Sequence, residues 1–185
     1  MPPKRFEDLS EEQARSYLDR HVADAEDRLE RFLGLVEATG GPDRAILDGG
    51  PASLVPLHRW FVSRARRADS PDAGGALPGW YEPDPPALAS QRVAPRTIAD
   101  ADGVALYLAR VLQRAWPELR WDIGRLPARM RYGHQHEPLL KAGDVDIPVL
   151  SIAYGMGVRV ALMDSGREPE ALLDVYRAWM DGRSA

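Results

Sequence analysis

The chain has 185 residues, 44% hydrophobic and 28% charged, with a formal net charge of −4 and no cysteine. This is the composition of an ordinary globular protein of one domain, long enough to bury a core without a metal or disulfide staple. It excludes a disulfide framework, a thiolate nucleophile and any cysteine-based zinc or iron–sulfur centre, and it offers no overall attraction to nucleic acid or an anionic membrane. No apolar run approaches the roughly 20 residues of a membrane-spanning helix. Met1 to Leu9 lacks the apolar core of a secretory signal. The expectation is therefore a cytoplasmic protein, and arginine so far outnumbers lysine that a GC-rich bacterial genome is the expected source.

Ser10-Glu11-Glu12-Gln13 has the form of a capping box, in which the serine and glutamine satisfy early backbone N–H groups reciprocally. Ala14, Leu18, Val22, Ala25, Leu29, Phe32, Leu33 and Val36 follow at helical spacing, and Gly40-Gly41-Pro42 stops the run. One long amphipathic helix packed along the core is predicted, with a dimerising helix pair as the alternative. Leu54, Leu57, Trp60 and Phe61 mark a second helix over 52–68. Its terminal Arg64, Arg66 and Arg67 complement the negative helix end.

Residues 69–95 contain six prolines and three glycines, which rule out a continuous helix or central strand. This connector divides a helical part, 1–68, from a mixed part, 96–185, within a single domain. It carries Trp80-Tyr81 framed by Pro78 and Pro83. The pair reads either as an anchor that pins the loop or as an exposed docking motif, since long loops are often functional and Trp and Tyr are favoured interface anchors.

Thr97 is expected to cap a third helix that runs to Trp116. Arg120-Trp121-Asp122-Ile123 alternates like a strand, residues 125–146 read as irregular or hairpin-like, and Lys141-Ala142-Gly143-Asp144 reads as a turn. Residues 147–153 form a second predicted strand. Residues 158–162 fit a third strand or a short helix, and Glu168-Pro169-Glu170 opens a last helix. The fold class is α+β.

Two features taken in order resemble a loose group of small uncharacterised bacterial α+β proteins, common in actinobacteria. The first is Ser53-Leu54-Val55-Pro56-Leu57-His58-Arg59-Trp60. The second is Tyr107-Leu108 leading to Trp121 and then Pro148-Val149-Leu150. Ala109-Arg110 stand where that group usually carries Gly-Glu. The resemblance implies an α+β module, sometimes near secretion, toxin or phage-related genes, and it transfers no catalytic residues.

Three chemistries compete. His134 and His136 are two apart in Tyr132-Gly133-His134-Gln135-His136-Glu137. With Asp122, Asp144 or Asp146 they suggest an N/O metal site for a hydrolase-like enzyme, while the bland alternative is a polar surface turn. Arg125, Arg129 and Arg131, interleaved with Trp121 and Tyr132, suggest stacking and phosphate pairing with single-stranded nucleic acid, against which the net negative charge argues. Gly155-Met156-Gly157 lacks the surrounding βαβ unit of a dinucleotide loop. With no complete catalytic constellation, no cofactor is expected. The leading expectation is a non-enzymatic protein-binding or accessory module, immunity-, adaptor- or chaperone-like, acting through Trp80 and Tyr81 on a protein partner, with a homodimer as a further possibility.

Overall fold

The computed structural model describes residues 6–72, 74–81, 92–125 and 134–182. The fold is α+β. The described helices are α1 (Glu11–Ala23), α2 (Ala25–Ala38), α3 (Leu54–Arg64), α4 (Pro95–Ala115), α5 (Val149–Leu162) and α6 (Ala171–Gly182). The strands are β1 (Arg120–Ile123), β2 (Pro138–Ala142) and β3 (Val145–Ile147).

Helix α4 is the axis of the molecule. Every residue from Asp100 to Ala109 is buried, because α2, α3 and α5 pack around it. Close approach is built into the sequence at Gly103, where a Cβ would lie 2.0 Å from the Phe32 ring of α2. Two acids on this buried helix are paired across it. Asp100, 1% exposed, binds Arg64 at 2.9 Å, and the Arg64 guanidinium lies 5.0 Å from the Trp60 ring centroid. Asp102 takes both its oxygens to Arg28 of α2. Unpaired, either carboxylate would be costly at such burial.

The capping box forms as expected: the Gln13 amide donates to Ser10 Oγ, and the Ser10 amide to Gln13 Oε1. The single long helix is interrupted at Asp24, whose backbone stays helical and bonded in both directions. The two halves serve different partners. Ala14 and Leu18 of α1 meet Ile123 of β1, whereas Leu29, Phe32, Leu33 and Val36 of α2 enter the main core. Helix α4 starts at Pro95, and the Thr97 hydroxyl, instead of capping it, accepts from the Arg66 backbone N–H at 2.8 Å.

The sheet is an antiparallel meander in the order β1-β2-β3, with Trp121 opposite Leu140 and Leu140 opposite Ile147. Its composition differs from expectation. The 125–146 stretch supplies β2 and most of β3, with the predicted turn at Gly143, while residues 149–153 are helical. An apolar run of that length carries no periodicity that separates strand from buried helix. Pro148 ends the strand, and the run from Val149 continues through Gly155 and Gly157 as α5.

The connector leaves and returns at one place. Arg67 and Val93 form an antiparallel bridge, Ala68 N–H donates to Arg92 O, and Ala94 N–H donates to Arg66 O. Between these ends the described residues lie along α4, with Gly75 against the Arg96 backbone and Trp80 reaching Asp102.

Candidate functional site

An open cleft of about 390 Å³ lies between the connector, the chain just before α1 and the start of α5. It is lined by Phe6, Glu7, Trp80, Glu137, Leu150, Ser151 and Tyr154. Trp80 comes from the connector and Tyr154 from α5. Their ring centroids are 6.1 Å apart at an interplanar angle of 83°, so the two rings make a corner. Tyr81 packs against both, at 6.0 Å from Trp80 and 5.7 Å from Tyr154. The edge-to-face contacts of Trp80 with Tyr154 and with Tyr81 are favoured by the ring quadrupoles.

The Trp80 ring is fixed from behind. Its indole N–H donates to Asp102 Oδ1 at 2.7 Å, and Asp102 is held by Arg28. Arg28 also lies 3.1 Å from Nδ1 of His21, a residue 3% exposed between Tyr17 and Trp121. Since a guanidinium can only donate, Nδ1 must be the bare nitrogen and His21 is neutral with its proton on Nε2. Burial first, and Arg28 second, push its pKa down to about 4. Burial likewise pushes Tyr17 up to about 12. The aromatic corner therefore rests on a largely buried relay, His21 to Arg28 to Asp102 to Trp80.

The floor of the cleft is Glu137, 2% exposed. The reason for its burial is local. Helix α5 begins after Pro148, which has no side-chain cap to offer. Glu137 supplies it: Oε1 accepts from the Ser151 backbone N–H at 3.0 Å, and Oε2 accepts from the Ser151 hydroxyl at 2.8 Å. The same Oε2 lies 2.7 Å from His134 Nδ1. This hydrogen bond raises the His134 pKa above its ordinary value, against the opposing effect of burial. The turn that presents both residues packs on Gly124, where a Cβ would lie 2.1 Å from the His134 carbonyl. The backbone is tied there too, with Gly124 N–H donating to Glu137 O and His136 N–H donating to Gly124 O, each at 2.9 Å.

Serine, histidine and carboxylate thus meet, with the carboxylate between the other two. His134 and Ser151 both bind Glu137, and no imidazole is hydrogen-bonded to the serine hydroxyl to take its proton.

The residues singled out in the sequence are distributed as follows. Trp80 and Tyr81 are half-buried and belong to the aromatic corner. His134 turns to Glu137, His136 Nε2 lies 2.9 Å from Gln135 Nε2, and Asp122 binds the Ile123 N–H and Arg125. Among the described residues, no group of three His, Asp or Glu side chains is placed to hold a metal, so His134, His136 and Asp122 are not brought together. Arg125 lies between Glu11 and Asp122, at 3.2 Å and 3.4 Å, which neutralises it locally. Arg129 and Arg131, with Tyr132, lie outside the described residues. No described helix is long and apolar enough to cross a membrane.

Sequence reasoning missed Tyr154, Ser151, Glu137 and Asp102. Ser151 lies in the 147–153 run predicted as strand, and Tyr154 lies just beyond it. Glu137 adjoins the histidine pair, whose spacing suggests metal ligands and not partners for a carboxylate. Asp102 gives no local signal, because its partners Arg28 and Trp80 are distant in sequence.

Comparison with known proteins adds no relative: no family model matches the chain, and no curated protein or solved structure is significantly similar to it.

Proposed function

We propose that this chain is a non-enzymatic protein-binding or accessory module of a bacterial system, cytoplasmic and immunity-, adaptor- or chaperone-like, that engages a protein partner through the Trp80–Tyr154 cleft. The observation that carries this reading is the fixed aromatic corner. Two rings from distant parts of the chain stand at 83° over an open cleft, and one is locked by a buried carboxylate. Binding energy concentrates in such anchors, and locking them beforehand lowers the ordering cost of association. The hydrogen bonds of Ser151 and His134 to Glu137 support a binding role over a hydrolytic one, because the His134 imidazole is turned to the carboxylate and not to the serine hydroxyl.

The test is co-purification from the native host with the wild type and with a Trp80→Ala, Tyr81→Ala variant. The expected result is one protein partner retained at equal stoichiometry by the wild type and lost from the variant, whose circular dichroism is unchanged. A variant that keeps the partner while folded, or a wild type that retains no protein, overturns the proposal.

A further inference from the structure

We propose that a second groove, between α2, α4 and β1, binds a small apolar carboxylate, an organic monoanion whose acid group pairs with Arg114. The groove shares no lining residue with the Trp80–Tyr154 cleft, so the two assignments stand or fall separately. Its volume is about 310 Å³, and its apolar lining is Ala25 and Leu29 from α2, Leu106 and Ala109 from α4, and Trp121 from β1. The Trp121 ring meets the His21 ring edge-on at 5.1 Å, and its indole N–H has no acceptor in the protein among the described residues.

The charges select the ligand. Three charged side chains line the groove, Glu26, Arg110 and Arg114. Glu26 and Arg110 neutralise each other, with Arg110 Nη2 2.5 Å from Glu26 Oε1. Arg114 is left over. Its Nη1 donates to the Asp48 backbone carbonyl, and no carboxylate pairs with it among the described residues. The Asp48 carboxylate is turned instead to the Gly50 N–H, at 2.7 Å. The C-terminal end of α4 offsets about half a unit of the charge but supplies no acceptor for the remaining N–H groups. A guanidinium carries five donors in a planar fork, and the uncommitted Nε and Nη2 match the two oxygens of a carboxylate. The fork is also held in place. Gly49 has a φ of 77°, and a Cβ there would lie 2.8 Å from Arg114 Nη1, so the loop offers a seat that glycine alone provides.

An organic cation would meet the unmatched arginine, because the acid of Glu26 is already taken. A neutral apolar molecule would cover the arginine without pairing it, which costs free energy. An inorganic anion would leave the apolar lining in water. A carboxylate with an apolar body satisfies both surfaces: the acid meets Arg114, and the body lies against Leu29, Leu106 and Trp121.

The test follows the Trp121 indole N–H, assigned by its disappearance in Trp121→Phe, by nitrogen–proton NMR in the full chain. Hexanoate, hexanamide and acetate are titrated separately. The expected result is a saturable shift with hexanoate. Hexanamide, which lacks the charge, and acetate, which lacks the chain, should each bind at least about tenfold more weakly. Arg114→Gln should weaken hexanoate by about tenfold, and Arg114→Lys by less. Ala25→Leu, which fills the groove, should abolish the shift in a protein whose circular dichroism is unchanged.

Hexanamide binding as tightly as hexanoate overturns the anion assignment. Acetate binding as tightly overturns the apolar one, and no shift with any probe overturns both. A hexanoate shift that persists in folded Ala25→Leu places the binding elsewhere and overturns the proposal, whether or not Arg114→Gln folds. The protein-binding reading is decided by co-purification and survives each of these results.

Discussion

Replacing His21 with phenylalanine should flatten the acid limb of the stability profile. His21 is 3% exposed, and its pKa falls from 6.5 to about 4, chiefly through burial and then through Arg28. As pH drops below 6.5 the unfolded chain takes up a proton that the folded chain refuses until about pH 4. The folded state therefore loses stability across that window, and this residue contributes no further loss below it. At about 1.4 kcal/mol per pH unit the drop amounts to about 3 kcal/mol, with little solvent screening to discount it. Phenylalanine keeps the ring between Tyr17 and Trp121 and removes the titration. It also removes the nitrogen that accepts from Arg28, so the absolute stabilities will differ and only their pH dependence is diagnostic. Urea unfolding followed by circular dichroism at half-unit steps from pH 4 to 7.5 gives the difference between the two proteins. That difference should be constant above about pH 6.5 and should shift by about 3 kcal/mol in favour of the variant by pH 4. Curves that stay parallel to pH 4 would refute the neutral, buried assignment of His21 and with it the internal relay behind Trp80.

Other consequences follow from single contacts. Gly103→Ala places a methyl group 2.0 Å from the Phe32 ring, itself packed edge-on to Trp60. Overpacking should outweigh the gain in helix propensity and cost about 1–3 kcal/mol, a fall of several degrees in thermal midpoint by calorimetry. Glu137→Ala strips two hydrogen bonds from Ser151 and one from His134, and should cost about 2–3 kcal/mol in denaturant unfolding. His134→Gln removes a smaller stabilisation. Because the folded pKa of His134 is raised, that contribution is complete below the unfolded value of 6.5 and fades as pH rises through the folded one, so wild type and variant should converge at alkaline pH. Trp80→Phe keeps a ring but loses the N–H bound to Asp102. It should cost about 1–2 kcal/mol and speed hydrogen exchange at residues 74–81 ahead of the rest of the chain.

The elements that the sequence reveals are those specified by neighbours in the chain. The capping box at Ser10, the stop at Gly40 and the turn at Gly143 all depend on residues a few positions apart, and all appear. Elements set by distant partners were illegible. Nothing near Asp24 says that α1 will cover β1 while α2 enters the core. Nothing near Val149 says that its helix is capped by Glu137, a residue on the far side of β2 and β3. The site followed the same rule. Trp80 and Tyr81 announced themselves by type and by their place in the connector. Their third ring, Tyr154, and the carboxylate behind them, Asp102, come from helices brought together only by the fold. The histidine pair takes separate partners, His134 on Glu137 and His136 beside Gln135, at a turn where His136 has a positive φ of 63°.

Native mass spectrometry of the wild type and of Tyr154→Ala, each purified gently from the native host, tests the account most directly. It predicts a metal-free complex of this chain with one other protein, absent from the folded variant. A bare chain, a metal-bearing monomer, or a complex that survives loss of Tyr154 would contradict it.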